Sequence, residues 1–267
     1  MTDFSWAKDL SDDAWAGALA GGDRRAPAMP DAQVQAMYVG SSGKESFREA
    51  AVFWAALRRT LADNGRPVGA STRFLDVGVG WGRLYRWALR DVGLQQITGI
   101  DVDLQAIELC RRTIPGGDFQ HVPGEPYPFA DGTFDAAFAY SVFSHLSEPS
   151  ARKVLRNVAR VLRPGATLAV TTLVPAHIDV WAGLVKNAGH GPALQRAKFD
   201  RTEWWSRMAD GDFLYVPTGG GDASRPEDAY GEAVVPKMWW LTLDDYELIA
   251  YDRHSGLPQA LVTLRRR

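Results

Sequence analysis

The sequence predicts an α/β fold in which a mostly parallel sheet is covered on both faces by helices. Three observations predict it. From Arg73 to Leu173, strand-like and helix-like segments alternate, and strands joined by crossover helices require a parallel sheet buried on both sides. The first strand runs straight into a glycine-rich turn, Asp76-Val-Gly-Val-Gly-Trp-Gly82, with a helix behind it. The chain closes with two strands, 246–252 and 259–264, whose short link through His254 and Pro258 suits an antiparallel hairpin.

The elements follow in order. Residues 1–70 read as a helical N-terminal extension. Ser11 caps a short helix there, and the stretch from Gly21 to Pro30 is a loop. A helix from Lys44 to Leu61 carries a 3.6-residue stripe (Phe47, Ala51, Trp54, Leu57, Leu61) and stops at Asn64-Gly65. Strand 73–77 precedes helix 82–91, strand 96–101 precedes helix 104–112, and a strand lies near 118–122. Strand 134–140 precedes helix 149–162, whose apolar face includes Leu155, Val158 and Val161; Pro164-Gly165 ends it, and strand 166–173 follows. The rhythm breaks after Pro175. The insertion at about 175–240 holds helical pieces near 178–188 and 200–209 and a glycine cluster at 219–221, and it is too long for a plain loop.

Composition excludes several classes of function. The chain has 267 residues, 46% hydrophobic and 23% charged, with a net charge of −2 and no basic run, so a nucleic-acid partner is not expected. Arg265 to Arg267 reads as a solvated tail. Cys110 is the single cysteine; it sits on a helical pattern and reads as a buried structural thiol. No apolar run approaches ~18 residues and no leader pattern opens the chain, so no membrane and a cytoplasmic location are expected. No metal is expected, because the spacing of Asp118, His121 and Glu125 matches no ligand set.

The glycine turn is the principal functional feature. Glycines at alternate positions let the backbone turn sharply and keep side chains away from a ligand, while the helix behind offers free N–H groups. Asp101 closes the second strand nineteen residues after Gly82, where a carboxylate can accept two ribose hydroxyls. A dinucleotide fingerprint wants Gly-x-Gly-x-x-Gly, but Arg83 stands at the last position. Asp76, two residues before Gly78, would repel a pyrophosphate and suits a cationic cofactor.

These residues resemble the first motif of class I S-adenosylmethionine-dependent methyltransferases. Gly99 to Asp103 resembles the family's second-strand acidic motif. Pro126 to Phe138 resembles its approach to strand four, and Val161-Leu-Arg-Pro-Gly165 its turn before strand five. The resemblance implies a three-layer, Rossmann-like, seven-stranded sheet with an antiparallel last strand, and S-adenosyl-L-methionine as cofactor. It implies that Asp76 lies near the methionine amino group, that Gly78, Gly80 and Gly82 line the methionine and ribose, that Asp101 holds the ribose hydroxyls, and that Val102 packs on the adenine. The acidic residue that often reaches the adenine is replaced by the altered stretch Pro123-Gly-Glu125. The stretch from Met37 to Ser42 is expected to form a lid.

The acceptor side is sought after strand four and in the insertion. His145 is the candidate base, because imidazole titrates near neutral pH. Tyr140 is expected as a wall of the cofactor pocket. His177 and Trp181 are the substrate-binding candidates; Asp179 and His190 lie nearby in sequence. Five of the ten tryptophans follow Pro175, which points to aromatic walls around an acceptor. The resulting expectation is methyl transfer to oxygen or nitrogen of a small molecule in a biosynthetic tailoring role, with room for a homodimer. A protein or peptide methyltransferase is the in-class alternative, and a nicotinamide-dependent oxidoreductase the alternative from another class.

Overall fold

The computed structural model describes residues 4–219, 230–254 and 256–267. Gly220, Gly221 and Ser255 lie outside them. The seven main strands are β1 (Phe74–Val77), β2 (Ile97–Asp101), β3 (Asp118–His121), β4 (Phe134–Ala139), β5 (Leu162–Thr172), β8 (Tyr246–Asp252) and β9 (Ala260–Arg266). They form one sheet in the order β3-β2-β1-β4-β5-β9-β8. Only β9 is reversed; it pairs antiparallel with both β5 and β8. The expected seven-stranded arrangement is therefore present. Two short strands, β6 (Leu214–Val216) and β7 (Glu232–Val234), form a separate antiparallel pair. The chain divides into two compact units, residues 1–138 and 139–267.

In the first unit, β1 pairs parallel with both β2 and β4, which places the reversal of strand order at the carboxyl end of β1. Every residue of β1 is buried, as a strand covered on both faces demands. Helix α3 (Arg48–Asp63) follows a 3-10 turn over Gly43–Phe47 and supplies part of the cover. Phe53, Trp54, Leu57 and Leu61 are at most 1% exposed. The Trp54 ring lies 5.3 Å from Phe74 of β1 and 5.9 Å from Phe138 of β4. Burial of such side chains stabilises by roughly 1.5–3 kcal/mol each. Helix α1 (Asp12–Ala20) starts where Ser11 accepts the Ala14 N–H, as its sequence predicts. Helix α2 (Ala32–Val39) covers the first half of the stretch expected as a lid; Gly40, in the left-handed region, ends it. Helix α4 (Arg83–Ala88) is shorter than the sequence pattern implied, and α5 (Leu104–Thr113) lies behind β2 in sequence.

In the second unit, α6 (Glu148–Val161) leads directly into β5. The Pro164-Gly165 turn therefore lies inside the strand rather than between helix and strand. The insertion contains α7 (His177–Leu184), α8 (Gly191–Arg196), α9 (Arg201–Asp210) and α10 (Lys237–Trp240). Of these, α8, α10 and the β6–β7 pair were not expected. Ile178, Trp181, Leu194, Trp204, Leu214 and Val234 form a separate apolar core under these elements. The C-terminal arginines are not a solvated tail. Arg265 and Arg266 complete β9, Arg265 pairs with Glu247 at 3.3 Å, and Arg266 Nε donates to the Ala159 carbonyl at 2.8 Å. Among the described residues, no helix is long and apolar enough to cross a membrane.

Candidate active site

The glycine turn sits at the carboxyl end of β1 and is tied to β2. Gly78 and Val79 donate their N–H groups to the Ile100 carbonyl at 2.8 and 3.0 Å. Gly80 donates to Asp101 Oδ2 at 2.8 Å, and Asp103 donates to Asp101 Oδ1 at 3.0 Å. Both Asp101 oxygens are thus fixed by the backbone, and the carboxylate has lone-pair capacity left for a ligand hydroxyl. Burial pushes the Asp101 carboxyl above its usual range, against these hydrogen bonds.

Gly82 caps α4 in the left-handed region, φ +79°. A Cβ there would stand 2.8 Å from Arg86 Nη1 and 2.9 Å from Ile114 Cδ1, so no side chain fits without displacing its neighbours. The space behind the turn is filled by Arg86, which is fully buried. Its guanidinium donates to the carbonyls of Trp81, Gly82 and Ala28 and to Thr113 Oγ1. Burial lowers it to about 10, which still leaves it a cation at neutral pH. The Cys110 thiol donates to the Gly80 carbonyl at 3.1 Å. Sequence reasoning identified neither residue as a support of the loop, because the contacts of Arg86 with Ala28 and Thr113 and of Cys110 with Gly80 join positions 27 to 58 residues apart.

Asp76 differs from the groups around it. It is 2% exposed, and its Oδ2 is buried without a hydrogen-bond partner. Burial first, then the nearby Asp101 charge, push its carboxyl well above the usual range; Arg83 opposes them. A buried carboxylate oxygen left unmatched is costly unless a donor or cation arrives. Val102, expected to face an adenine, is 71% exposed beside this loop. Tyr38 of α2 donates its hydroxyl to Asp103 at 3.1 Å, and its ring lies 3.4 Å from where a Gly80 Cβ would be. The segment expected as a lid thus touches the glycine turn. Glu125 is exposed in the loop after β3.

The remaining candidates belong to the second unit. Tyr140 follows β4 and is 9% exposed. Ser141 has φ +59°, a strained value for a residue with a side chain. Its N–H donates to Thr171 Oγ1 at 2.7 Å, and Gln259 donates to its hydroxyl at 2.9 Å. His145 Nδ1 lies 2.8 Å from the Gly231 carbonyl, and the Tyr230 hydroxyl lies 2.9 Å from Nε2. A carbonyl only accepts, so Nδ1 carries the proton and Nε2 the lone pair. Burial lowers the His145 imidazole and favours this neutral form.

His177 and Trp181 do come together, and a residue that sequence reasoning missed joins them. Trp181 Nε1 donates to Glu232 Oε2 at 2.5 Å, and His177 Nε2 lies 3.4 Å from the same oxygen. His190 Nε2 lies 3.5 Å from Glu232 Oε1. Against the cost of burial, His177 and Trp181 hold the Glu232 carboxyl down to about 2. Asp179 faces elsewhere, bonded to Arg201 at 2.7 Å and to the Trp205 indole at 3.2 Å. Among the described residues, no group of metal-ligating side chains is arranged to hold a metal ion.

A methyltransferase-domain family matches residues 74–165, from the start of β1 to the Pro164-Gly165 turn. Among curated proteins, an O-methyltransferase of Penicillium expansum is 36% identical over 109 residues, which is 39% of this chain and 38% of that one. The 27-O-demethylrifamycin SV methyltransferase of Amycolatopsis mediterranei is 29% identical over 137 residues, covering 47% and 48%. The matched region thus spans less than half the length of these curated relatives. Among solved structures, an S-adenosylmethionine-dependent methyltransferase from Mesorhizobium loti has TM-score 0.53 and 15% identity, over 82% of this chain and all of that one. The N-methyltransferase NodS of Bradyrhizobium japonicum, in complex with S-adenosyl-L-homocysteine, has TM-score 0.51 and 14% identity, covering 88% and 97%. At these identities the structural likeness concerns the fold, and the fold agrees with the motif core. Residues 74–165 thus carry the likeness to a methyltransferase domain, and the strand order of the sheet and the acidic glycine turn accord with it.

Proposed function

We propose that the protein transfers the methyl group of S-adenosylmethionine to an oxygen or nitrogen of a small molecule, in a biosynthetic tailoring role. The observation that carries this reading is the buried, unmatched oxygen of Asp76 beside the Asp101-held glycine turn. It fits a cofactor bearing an ammonium group near a ribose and opposes a pyrophosphate. Asp76 would hold the amino group, Asp101 the ribose hydroxyls, Gly78, Gly80 and Gly82 the backbone cradle, and Val102 the adenine face. Tyr140 is the pocket wall in the same reading.

When bound, S-adenosylmethionine supplies an electrophilic methyl and leaves as the thioether. The protein's part is to align the acceptor, exclude water and take its proton. His145, neutral with its lone pair on Nε2, is the proposed base. His177 and Trp181, with Glu232, are proposed to bound the acceptor. The relatives' named activities, O-methylation in two curated cases and N-methylation in a solved one, support the choice of oxygen or nitrogen.

The test pairs binding with turnover. Calorimetry should show that S-adenosylhomocysteine binds and NADH does not. Label from [methyl-³H]-S-adenosylmethionine should pass to one member of a panel of phenols, alcohols and amines. NADH binding without S-adenosylhomocysteine binding would overturn the reading.

A further inference from the structure

We infer that Tyr230 and Gly231, which lead into β7, are the positioning residues that set the tautomer and ring orientation of His145. The inference rests on the reading of His145 as the base. The two residues act on the two ring nitrogens differently. The Gly231 carbonyl accepts from Nδ1 at 2.8 Å and fixes the proton there. The Gly231 N–H in turn donates to the His145 carbonyl at 3.2 Å, and Ala233 N–H donates to the Ser144 carbonyl at 2.8 Å. The entry to β7 is therefore laced to the His145 backbone as well as to its ring.

Tyr230 acts on the ring face. The phenol and imidazole rings stack with centroids 4.2 Å apart and 20° between planes. With Nδ1 protonated, the phenol O–H donates to the Nε2 lone pair at 2.9 Å. Stacking and this hydrogen bond together hold the ring, and an acceptor O–H or N–H takes the phenol's place at Nε2.

A side chain at position 231 has no room beside Tyr215 as it stands. A Cβ on Gly231 would stand 2.4 Å from two carbons of the Tyr215 ring and 2.5 Å from its oxygen. Any side chain there must push Tyr215 or the 230–232 backbone aside, and the second response carries the Nδ1 acceptor with it. Glu232 is the next residue, and its own contacts with Trp181, His177 and His190 hold the far end of the segment. Three successive residues thus connect the insertion to the base: 230 holds the ring face, 231 the tautomer and 232 the anchor.

The experiment uses the full chain, ¹⁵N-labelled at histidine, with Tyr230→Phe, Tyr230→Leu and Gly231→Ala. Tyr230 is 49% exposed, so its replacements leave the core intact even if Gly231→Ala fails to fold. In the wild type, His145 should show protonated Nδ1 and a bare Nε2. Tyr230→Leu should mix the tautomers, raise the His145 titration midpoint toward its ordinary value and lower kcat about tenfold, with KM for S-adenosylmethionine unchanged. Tyr230→Phe keeps the stack and should restore the tautomer and the pH profile. An unchanged tautomer, midpoint and pH profile in Tyr230→Leu would overturn the inference. The nitrogen shifts need no turnover. Hence the tautomer response without any methyl transfer would sink the proposed function alone, and methyl transfer with an indifferent tautomer would sink this inference alone.

Discussion

Two carboxylates, the buried Asp76 and the half-buried Glu232, one in each compact unit, are treated in opposite ways. Asp76 at the end of β1 has an oxygen with no donor, and burial drives its carboxyl well above the usual range. Glu232 at the start of β7 receives the Trp181 indole N–H and lies beside two imidazoles; these hold it at about 2 despite its burial. On the proposed reading, the difference separates a site that awaits a partner from one that the chain completes itself. An ionised Asp76 weakens the fold until a cation matches it. An ionised Glu232 strengthens the fold by joining α7 and the segment before α8 to β7.

The largest expected effect tests the first half of that contrast. Asp76→Asn should weaken S-adenosylhomocysteine binding about 100-fold, the loss of a charged hydrogen bond to the ligand ammonium. The same variant, without ligand, should melt at a higher temperature. The sign follows from linkage: a carboxyl whose folded pKa is raised destabilises the fold as pH rises from its unfolded value through the folded one. The amide is neutral throughout and lacks that loss. Calorimetry together with melting curves from pH 4 to 8 checks both. An Asn variant that binds normally and melts at the wild-type temperature would show that Asp76 is merely a core residue.

Glu232→Gln tests the other half and should move the opposite way. A folded carboxyl held near 2, against 4.5 for the ordinary group, contributes stability that is fully present above about pH 4.5. That contribution is lost as pH falls from there through about 2. With the side chain 21% exposed, the loss at pH 7 should be on the order of 2 kcal/mol. Urea unfolding at pH 7 should separate variant from wild type, and the gap should narrow at pH 3. A gap of equal size at both pH values would mean that packing, not charge, holds β7.

The same two regions differ in how far the sequence discloses them. The donor side is written in two short stretches: Asp76 and the three glycines fall in one turn and Asp101 closes the next strand, so spacing alone proposes them. The parallel strands are equally legible, because β1 and β4 are buried on both faces and read as apolar runs. On the acceptor side the decisive contacts join residues far apart. His145 meets Gly231 across 86 positions, and Trp181 meets Glu232 across 51. Strands β6 and β7 have three residues each, too few to show a period. Helix α8 begins at Gly191-Pro192, a pair that reads as a breaker although proline is tolerated in a first turn. The Arg86 support of the glycine turn escaped for a related reason. It looks like any helical arginine until the Ala28 carbonyl and the Thr113 hydroxyl arrive from other segments.

The smallest expected effect concerns Cys110 and sharpens the picture of a donor loop held from behind. The thiol is fully buried, donates to the Gly80 carbonyl, and is pushed by burial up to about 12, with Arg86 opposing. At pH 7.5 almost no thiolate exists to react, and no reagent reaches it without local opening. Cys110→Ala should therefore change turnover by no more than about twofold, since one weak hydrogen bond is lost and a small apolar group remains. Alkylation by iodoacetamide should be slow in the native protein. It should slow further with S-adenosylhomocysteine bound, because a ligand that binds only the closed loop suppresses its opening. If labelling were instead fast and indifferent to ligand, the space behind Gly80 would be open to solvent. The turn would then be shaped by the cofactor rather than by Asp101, Arg86 and Cys110, and Asp76 would be waiting in a site that had not yet formed.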